Sequence, residues 1–322
     1  MPSRKELRKR LEELNRDALE RPPKPEHDLD RLRRKRARQE RGKPSPPTDT
    51  PRPDDPPPLL HGRDLPRTWS RPEPRRPAQA EPVELVDAVS GAEVRGPHGA
   101  RAFLITNDIR ELEETTDELC EQFRRSLRRA DSPARRWIAE YCGGRSVAPD
   151  ELVFFDLETT GLGSSPLFLI GTMTWENGGL VVRQYFARNY AEEPAVVSLF
   201  RESLAGKAMF VSFNGKSFDL PYVRVRAAST GVPFAVDLDH FDLLHVSRRI
   251  WRGRLPDCRL QTLERHVCGR TRVGDIPSAE IPRAYHEFVR TADAREMVEC
   301  LEHNMLDLVT LADLMIRLPP PA

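Results

Sequence analysis

The stretch Val153-Phe154-Phe155-Asp156-Leu157-Glu158-Thr159-Thr160-Gly161-Leu162 decides how the rest of the chain is read. The apolar run from Leu152 to Leu157 predicts a strand. Residues two apart on a strand share a face, so Asp156 and Glu158 project together. Two neighbouring carboxylates at the end of an apolar strand repel each other unless a cation neutralises them, and oxygen-rich sites suit Mg2+ or Mn2+. A bare Asp-x-Glu is more often a strand end reaching solvent, so its meaning depends on what else the chain supplies.

Two further segments supply it. In Val211-Ser212-Phe213-Asn214-Gly215-Lys216-Ser217-Phe218-Asp219-Leu220-Pro221, a strand runs through an Asn-Gly loop into a helix, and Asp219 falls in the first helical turn. An acid there has an ordinary explanation, since it complements the helix dipole. In Glu302-His303-Asn304-Met305-Leu306-Asp307-Leu308, an apolar stripe of Leu301, Met305 and Leu308 predicts a helix that carries His303 and Asp307 on one face, four residues apart. A surface His paired with Asp would look the same. Together the three segments offer Asp, Glu, Asp, His and Asp on a strand end, a helix start and a helix.

The surrounding pattern predicts an α/β fold. Leu167 to Trp175 and Leu180 to Ala187 flank Asn177-Gly178-Gly179 as a hairpin, Glu193 to Leu204 reads as a helix, and Ala208 to Phe213 as another strand. Helices are expected at Ser217 to Ser229, Phe241 to Trp251, Leu260 to Cys268 and Glu296 to Leu318. A hairpin followed by alternating strands and helices indicates a mixed sheet flanked by helices, here over residues 150–318. Residues 83–149 read as a small accessory segment packed on this domain, with short strands up to residue 106 and a charged helix from Asp108 to Ala130.

Residues 1–82 differ in kind. More than half of the 30 prolines fall here, and over residues 1–80 about 22 Lys plus Arg face about 14 Asp plus Glu, so a basic tail precedes an acidic body although the net charge is only +1. Apart from a short capped helix expected at residues 3–20, the tail has too few apolar residues to offset the entropy of ordering, and disorder is expected. Its charge suits a polyanion or an acidic partner. Five widely spaced cysteines with no CxxC pair suggest a reducing cytoplasm, and no apolar run approaches a membrane span.

With these residues in view, the DLETTGL, SFNGKSFDLP and HNMLD segments resemble the three exonuclease motifs of the DEDD superfamily, and most of all its YprB-like ribonuclease-H-like branch. FLIG at Phe168 to Gly171, RQYF at Arg183 to Phe186, FDLLHVSRRIW, LQTLERHV and DIPSAEIPRAYHEF fit the same branch. The resemblance implies a ribonuclease-H-like fold and two-metal hydrolysis of phosphodiesters with two Mg2+ or Mn2+ ions. Asp156 would be shared by both ions, Glu158 and Asp307 would complete one site, and Asp219 would hold the other. His303 would act as general base, neutral near its reference pKa of about 6.5. It precedes Asp307 by four residues, where the superfamily's usual His subclass has five. Thr159, Thr160, Leu162, Phe213 and Asn214 would hold the terminal nucleotide.

The function expected is thus a 3′-to-5′ exonuclease on single-stranded DNA, in DNA repair and with a helicase as partner. Alternatives are an endonuclease on RNA–DNA hybrids, an inactive ribonuclease-H-like scaffold with an interacting tail, and a zinc module at Cys258, His266 and Cys268 that lacks a fourth ligand.

Overall fold

The structure, a computed structural model of the chain, describes residues 67–70, 81–96, 99–112, 114–161 and 163–321. The helix expected at residues 3–20, most of the tail, and Leu162 lie outside the described residues. Within the tail, Arg67–Ser70 form β1. Then come β2 (Ala92–Arg95), β3 (Arg101–Asp108), α1 (Glu114–Arg128), α2 (Pro133–Tyr141), β4 (Leu152–Thr159), β5 (Leu167–Glu176), β6 (Gly179–Phe186) and α3 (Glu193–Ser203). The remainder is β7 (Met209–Ser212), α4 (Asp219–Thr230), β8 (Asp239–Asp242), α5 (Leu243–Trp251), β9 (Arg270–Val273), α6 (Ile281–Thr291) and α7 (Arg295–Ile316).

Seven strands form one mixed sheet in the order β2-β3-β6-β5-β4-β7-β8, and β1 pairs with β9 in a separate parallel ribbon. The hairpin of β5 and β6 closes as its sequence requires. Asn177 (φ 49°) and Gly178 (φ 83°) both adopt the left-handed conformation of a primed two-residue turn, with Glu176 opposite Gly179. The meander from β2 to β4 is antiparallel, whereas β4, β7 and β8 run parallel and are joined through helices. The α/β sheet flanked by helices is the fold class expected. β3 pairs with β6 from Phe103 to Asp108, so residues before 150 contribute two strands to this sheet.

Alternation along β4 splits the core in two. Val153, Phe155 and Leu157 enter one apolar cluster with α3, α4 and α6, while Leu152 and Phe154 enter another with α1, α2, α5 and the second half of α7. Asp156 and Glu158 continue the second parity, so they face the side on which α7 lies.

Several elements differ from the sequence expectation: α6, β1 and β9 were not anticipated, with β1 falling in the tail where disorder was expected. The helix expected from Phe241 begins only at Leu243, because His240, Phe241 and Asp242 pair with β7. A short apolar run does not distinguish strand from helix by its period. The segment from Leu260 is one α-turn followed by a π-helical turn, Glu264–Cys268. α2 was not anticipated, although Ser132 caps its start through the Arg135 amide and Pro133 sits in its first turn. Among the described residues, no helix is long and apolar enough to cross a membrane.

Candidate active site

Asp156 stands on β4 directly opposite Gly171 of β5. Its Oδ2 accepts a hydrogen bond from Asn304 Nδ2 at 2.9 Å, and Asn304 Oδ1 accepts one from Gln184 Nε2 at 2.9 Å. Gly171 makes the approach from α7 possible, since a Cβ there would lie 2.1 Å from Asn304 Oδ1. Beyond Glu158 the pairing of β4 with β5 shifts register, as at a bulge, and the strand leaves the sheet at the site.

Asp219 is buried at the first residue of α4. The loop before it is tied down by Asp242, fully buried, whose carboxylate accepts the amides of Asn214 (2.8 Å), Lys216 (3.1 Å) and Leu244 (3.0 Å). One acid thus caps α5 and fixes the loop that delivers another. Gly215 is required by space, because a Cβ there would lie 2.4 Å from Ser212 Oγ and 3.1 Å from Asp219 Oδ2.

α7 brings His303 and Asp307 to the same side. His303, almost fully buried, places Nδ1 2.8 Å from Asp275 Oδ1, while its Nε2 lies 3.8 Å from Asp307 Oδ2 and 3.4 Å from Ser278 Oγ. Arg272 of β9 ties this corner together. Its Nε donates to Glu264 Oε2 (2.8 Å), Nη1 to Asp275 Oδ2 (3.3 Å) and Nη2 to Asp307 Oδ1 (2.6 Å). The π-helical turn carries Glu264 into that contact, a distortion often found at functional sites.

The electrostatics separate two groups of acids. Burial, then the charges of Asp307 and Asp219, hold the Asp156 carboxyl well above the usual range. Glu158 is raised in the same way by burial and then by Asp156, Asp307 and Asp219. Burial pushes Asp219 up to about 7. These three pair with no Lys or Arg among the described residues, although the charge of His303 acts on Asp156, whereas Asp307 and Asp275 share Arg272. Burial depresses the His303 pKa, but Asp275 and Asp307 outweigh it and the net shift is upward. The expectation that His303 stays at its reference value is therefore corrected: two acids favour its protonated form.

The all-oxygen donor set and its unneutralised charge fit hard divalent cations. Among the described residues, no three His, Cys, Asp or Glu side chains form a ready metal site. Asn304 holds one oxygen of Asp156 and Arg272 one of Asp307. The zinc reading finds no support, since Cys258 and Cys268 belong to the second apolar cluster and neither joins such a group.

The expected nucleotide-binding residues lie near the acids in sequence, but several have other partners. The Thr159 hydroxyl donates to the Gly161 carbonyl and the Thr160 hydroxyl to that of Pro166, both within their own loop. Phe213 is half-buried and packs on the second apolar cluster. Asn214 is exposed at φ 69°, and Leu162 is outside the described residues.

Asn304, Gln184, Asp242, Asp275, Arg272 and Glu264 were not singled out from the sequence. A signal existed for most of them. Gln184 lies in RQYF, Asp242 in FDLL, Glu264 in LQTLERHV and Asp275 in DIPSAEIP, segments whose likeness to a family was visible without any role.

A family model described as the RNase_H superfamily matches residues 153–319, which hold Asp156, Glu158, Asp219, His303 and Asp307. The chain belongs to the RNase_H superfamily. Among curated proteins, this RNase_H-superfamily chain is 31% identical over 174 residues to "Uncharacterized protein YprB" of Bacillus subtilis (strain 168), covering 52% of this chain and 42% of that protein. That agrees with the YprB-like branch expected from the motifs. The chain thus spans less than half the length of this relative. Among solved structures, the family B DNA polymerase from the hyperthermophilic archaeon Pyrobaculum calidifontis matches 51% of this chain and 24% of its own at 17% identity, with a TM-score of 0.41, too distant to carry an argument.

Proposed function

We propose that this RNase_H-superfamily protein is a metal-dependent 3′-to-5′ exonuclease of the DEDD type that hydrolyses single-stranded DNA. The observation that carries the reading is Asp156 tied to α7 by Asn304 at 2.9 Å, on the helix that carries Asp307 and a histidine already oriented by Asp275, while Asp156, Glu158 and Asp219 pair with no Lys or Arg among the described residues. Such a group is costly to maintain and becomes favourable when divalent ions are held there.

Asp156, Glu158, Asp219 and Asp307 would hold two Mg2+ or Mn2+ ions, which supply Lewis-acid activation of water and charge stabilisation at the leaving oxygen. His303 accepts the proton of the attacking water at Nε2, the ring nitrogen turned away from Asp275. Thr159, Thr160, Leu162, Phe213 and Asn214 would hold the terminal nucleotide, with stacking and phosphate contact making recognition independent of sequence. The basic tail, residues 1–82, supplies extra phosphate contacts, residues 83–149 act as an accessory segment to the catalytic part at 150–318, and the setting is cytoplasmic DNA repair beside a helicase.

End-labelled single-stranded DNA, duplex DNA, RNA and RNA–DNA hybrid, each with Mg2+, Mn2+ or EDTA, test the reading. A ladder of shortening 5′-labelled single strands, abolished by EDTA, is expected. Internal cuts confined to hybrids would replace it with the endonuclease alternative, and inertness with every substrate would leave a scaffold.

A further inference from the structure

We infer that Asn304 is a positioning residue for Asp156, held in one orientation by a relay that begins at a backbone carbonyl; this rests on the proposed function and specifies how its central acid is aimed. The orientation follows from donor and acceptor identities. The Leu301 carbonyl can only accept, so the Gln184 group 2.7 Å from it is the amide nitrogen. The same nitrogen lies 2.9 Å from the other end of the relay, which makes that atom of Asn304 its oxygen. Asn304 therefore turns its own nitrogen to Asp156 Oδ2 at 2.9 Å. Neither amide can flip without losing a bond.

The relay is completely enclosed at Asn304, which has no exposed surface, and Gln184 is 2% exposed. Its space is reserved by the bare backbone of Gly171, which pairs with both Asp156 on β4 and Gln184 on β6. An apolar residue at 304 would fill the volume but leave Asp156 Oδ2 and one Gln184 N–H without their partner. An amide there instead fixes one oxygen of Asp156 and leaves the other outside this contact. That selects one carboxylate rotamer before any cation arrives, so ordering is not charged against binding.

The test uses the full chain with Mn2+ as probe. Asn304→Leu is expected to weaken Mn2+ binding in calorimetry about 10- to 100-fold, the usual effect of losing a group that orients a ligand. Its melting temperature in EDTA should fall only by the few degrees that a buried hydrogen-bond group left unpaired costs, and turnover should drop with KM for a single-stranded oligonucleotide little changed. Gly171→Ala, whose Cβ displaces Asn304, should reproduce the defect. The double variant Asn304→Ala with Gly171→Ala should bind Mn2+ no more weakly than Asn304→Ala alone, because both act on one contact. Gln184→Glu, which puts an acceptor where the relay has its donor, removes what holds the Asn304 amide in its orientation and should reproduce the loss. Wild-type Mn2+ affinity in Asn304→Leu, or additive effects in the double variant, would overturn the positioning role and leave the proposed function standing. Absence of Mn2+ binding by the unmutated protein would overturn the proposed function, and this inference with it.

Discussion

His303 Nδ1 and Asp275 Oδ1 are 2.8 Å apart on α7 and on the loop after β9, so the ring presents Nε2, not Nδ1, toward Asp307. A carboxylate on one nitrogen fixes the tautomer and makes the other nitrogen the proton acceptor. His303→Ala is therefore expected to lower turnover by roughly 10²- to 10⁴-fold with Mn2+ affinity preserved. Loss of Mn2+ binding to the degree seen with an acid variant would make His303 a ligand or a structural residue.

The same contact predicts a pH dependence. Asp275 and Asp307 raise the His303 pKa against the effect of burial, and a general base works only when neutral. Activity should thus increase as pH rises through a value above the ordinary 6.5, and Asp275→Asn should move that limb to lower pH. A limb unmoved by Asp275→Asn in kcat/KM profiles would separate the two residues.

Asp156→Asn should abolish hydrolysis while leaving the metal-free protein as stable or more so. The sign of the accompanying pH effect is fixed by direction. Asp219, raised from 3.8 to about 7, binds its proton more tightly when folded, so its contribution favours the folded state at low pH and is lost as pH rises across that window. Asp156 and Glu158 act with the same sign. Melting temperature in EDTA should consequently be higher at pH 6 than at pH 8, and Asp156→Asn should reduce the difference. A wild-type midpoint that climbs from pH 6 to 8 contradicts the crowding.

Arg272 is nearly buried and serves three acids, so truncating it strands their charges. Arg272→Ala should cost about 3 to 5 kcal/mol in urea unfolding, the range for removing one side of a buried ion pair. A loss under about 1 kcal/mol, the range of exposed pairs, would mean the network is open to solvent.

The fold was legible where period and turn chemistry agreed. β4 to β6 follow from an apolar run, an Asn-Gly turn and a second apolar run, and α7 from a stripe of Leu301, Met305 and Leu308. β8 was not, because its four residues lead without a turn signal into a helix. Of the candidate site, the acids could be found from spacing and charge, but the residues that hold them could not. Asn304 looks like a helix interior residue and Asp242 like an N-cap. Their partners lie 148 and up to 28 residues away, a distance no local pattern encodes.

The tail makes a prediction at two lengths. Deleting residues 1–66 should leave hydrolysis at saturating substrate unchanged while making the salt dependence of binding shallower. Three or four lost phosphate contacts would lower the log-log slope by roughly 2 to 3. Deleting residues 1–80 also removes β1 from β9, the strand that bears Arg272, and should lower the melting temperature as well. Identical salt slopes for the full and shortened chains on 10- and 40-nucleotide strands would assign the tail to a protein partner instead.

The most direct test of the central claim is release of nucleotides from 5′-labelled single-stranded DNA as Mn2+ is titrated, with wild type and Asp156→Asn side by side. The account predicts a ladder that appears with Mn2+ for the wild type, vanishes with EDTA, and is absent for Asp156→Asn at every concentration although the variant remains folded. Equal ladders from the two proteins, or a wild-type ladder that persists in EDTA, would contradict it.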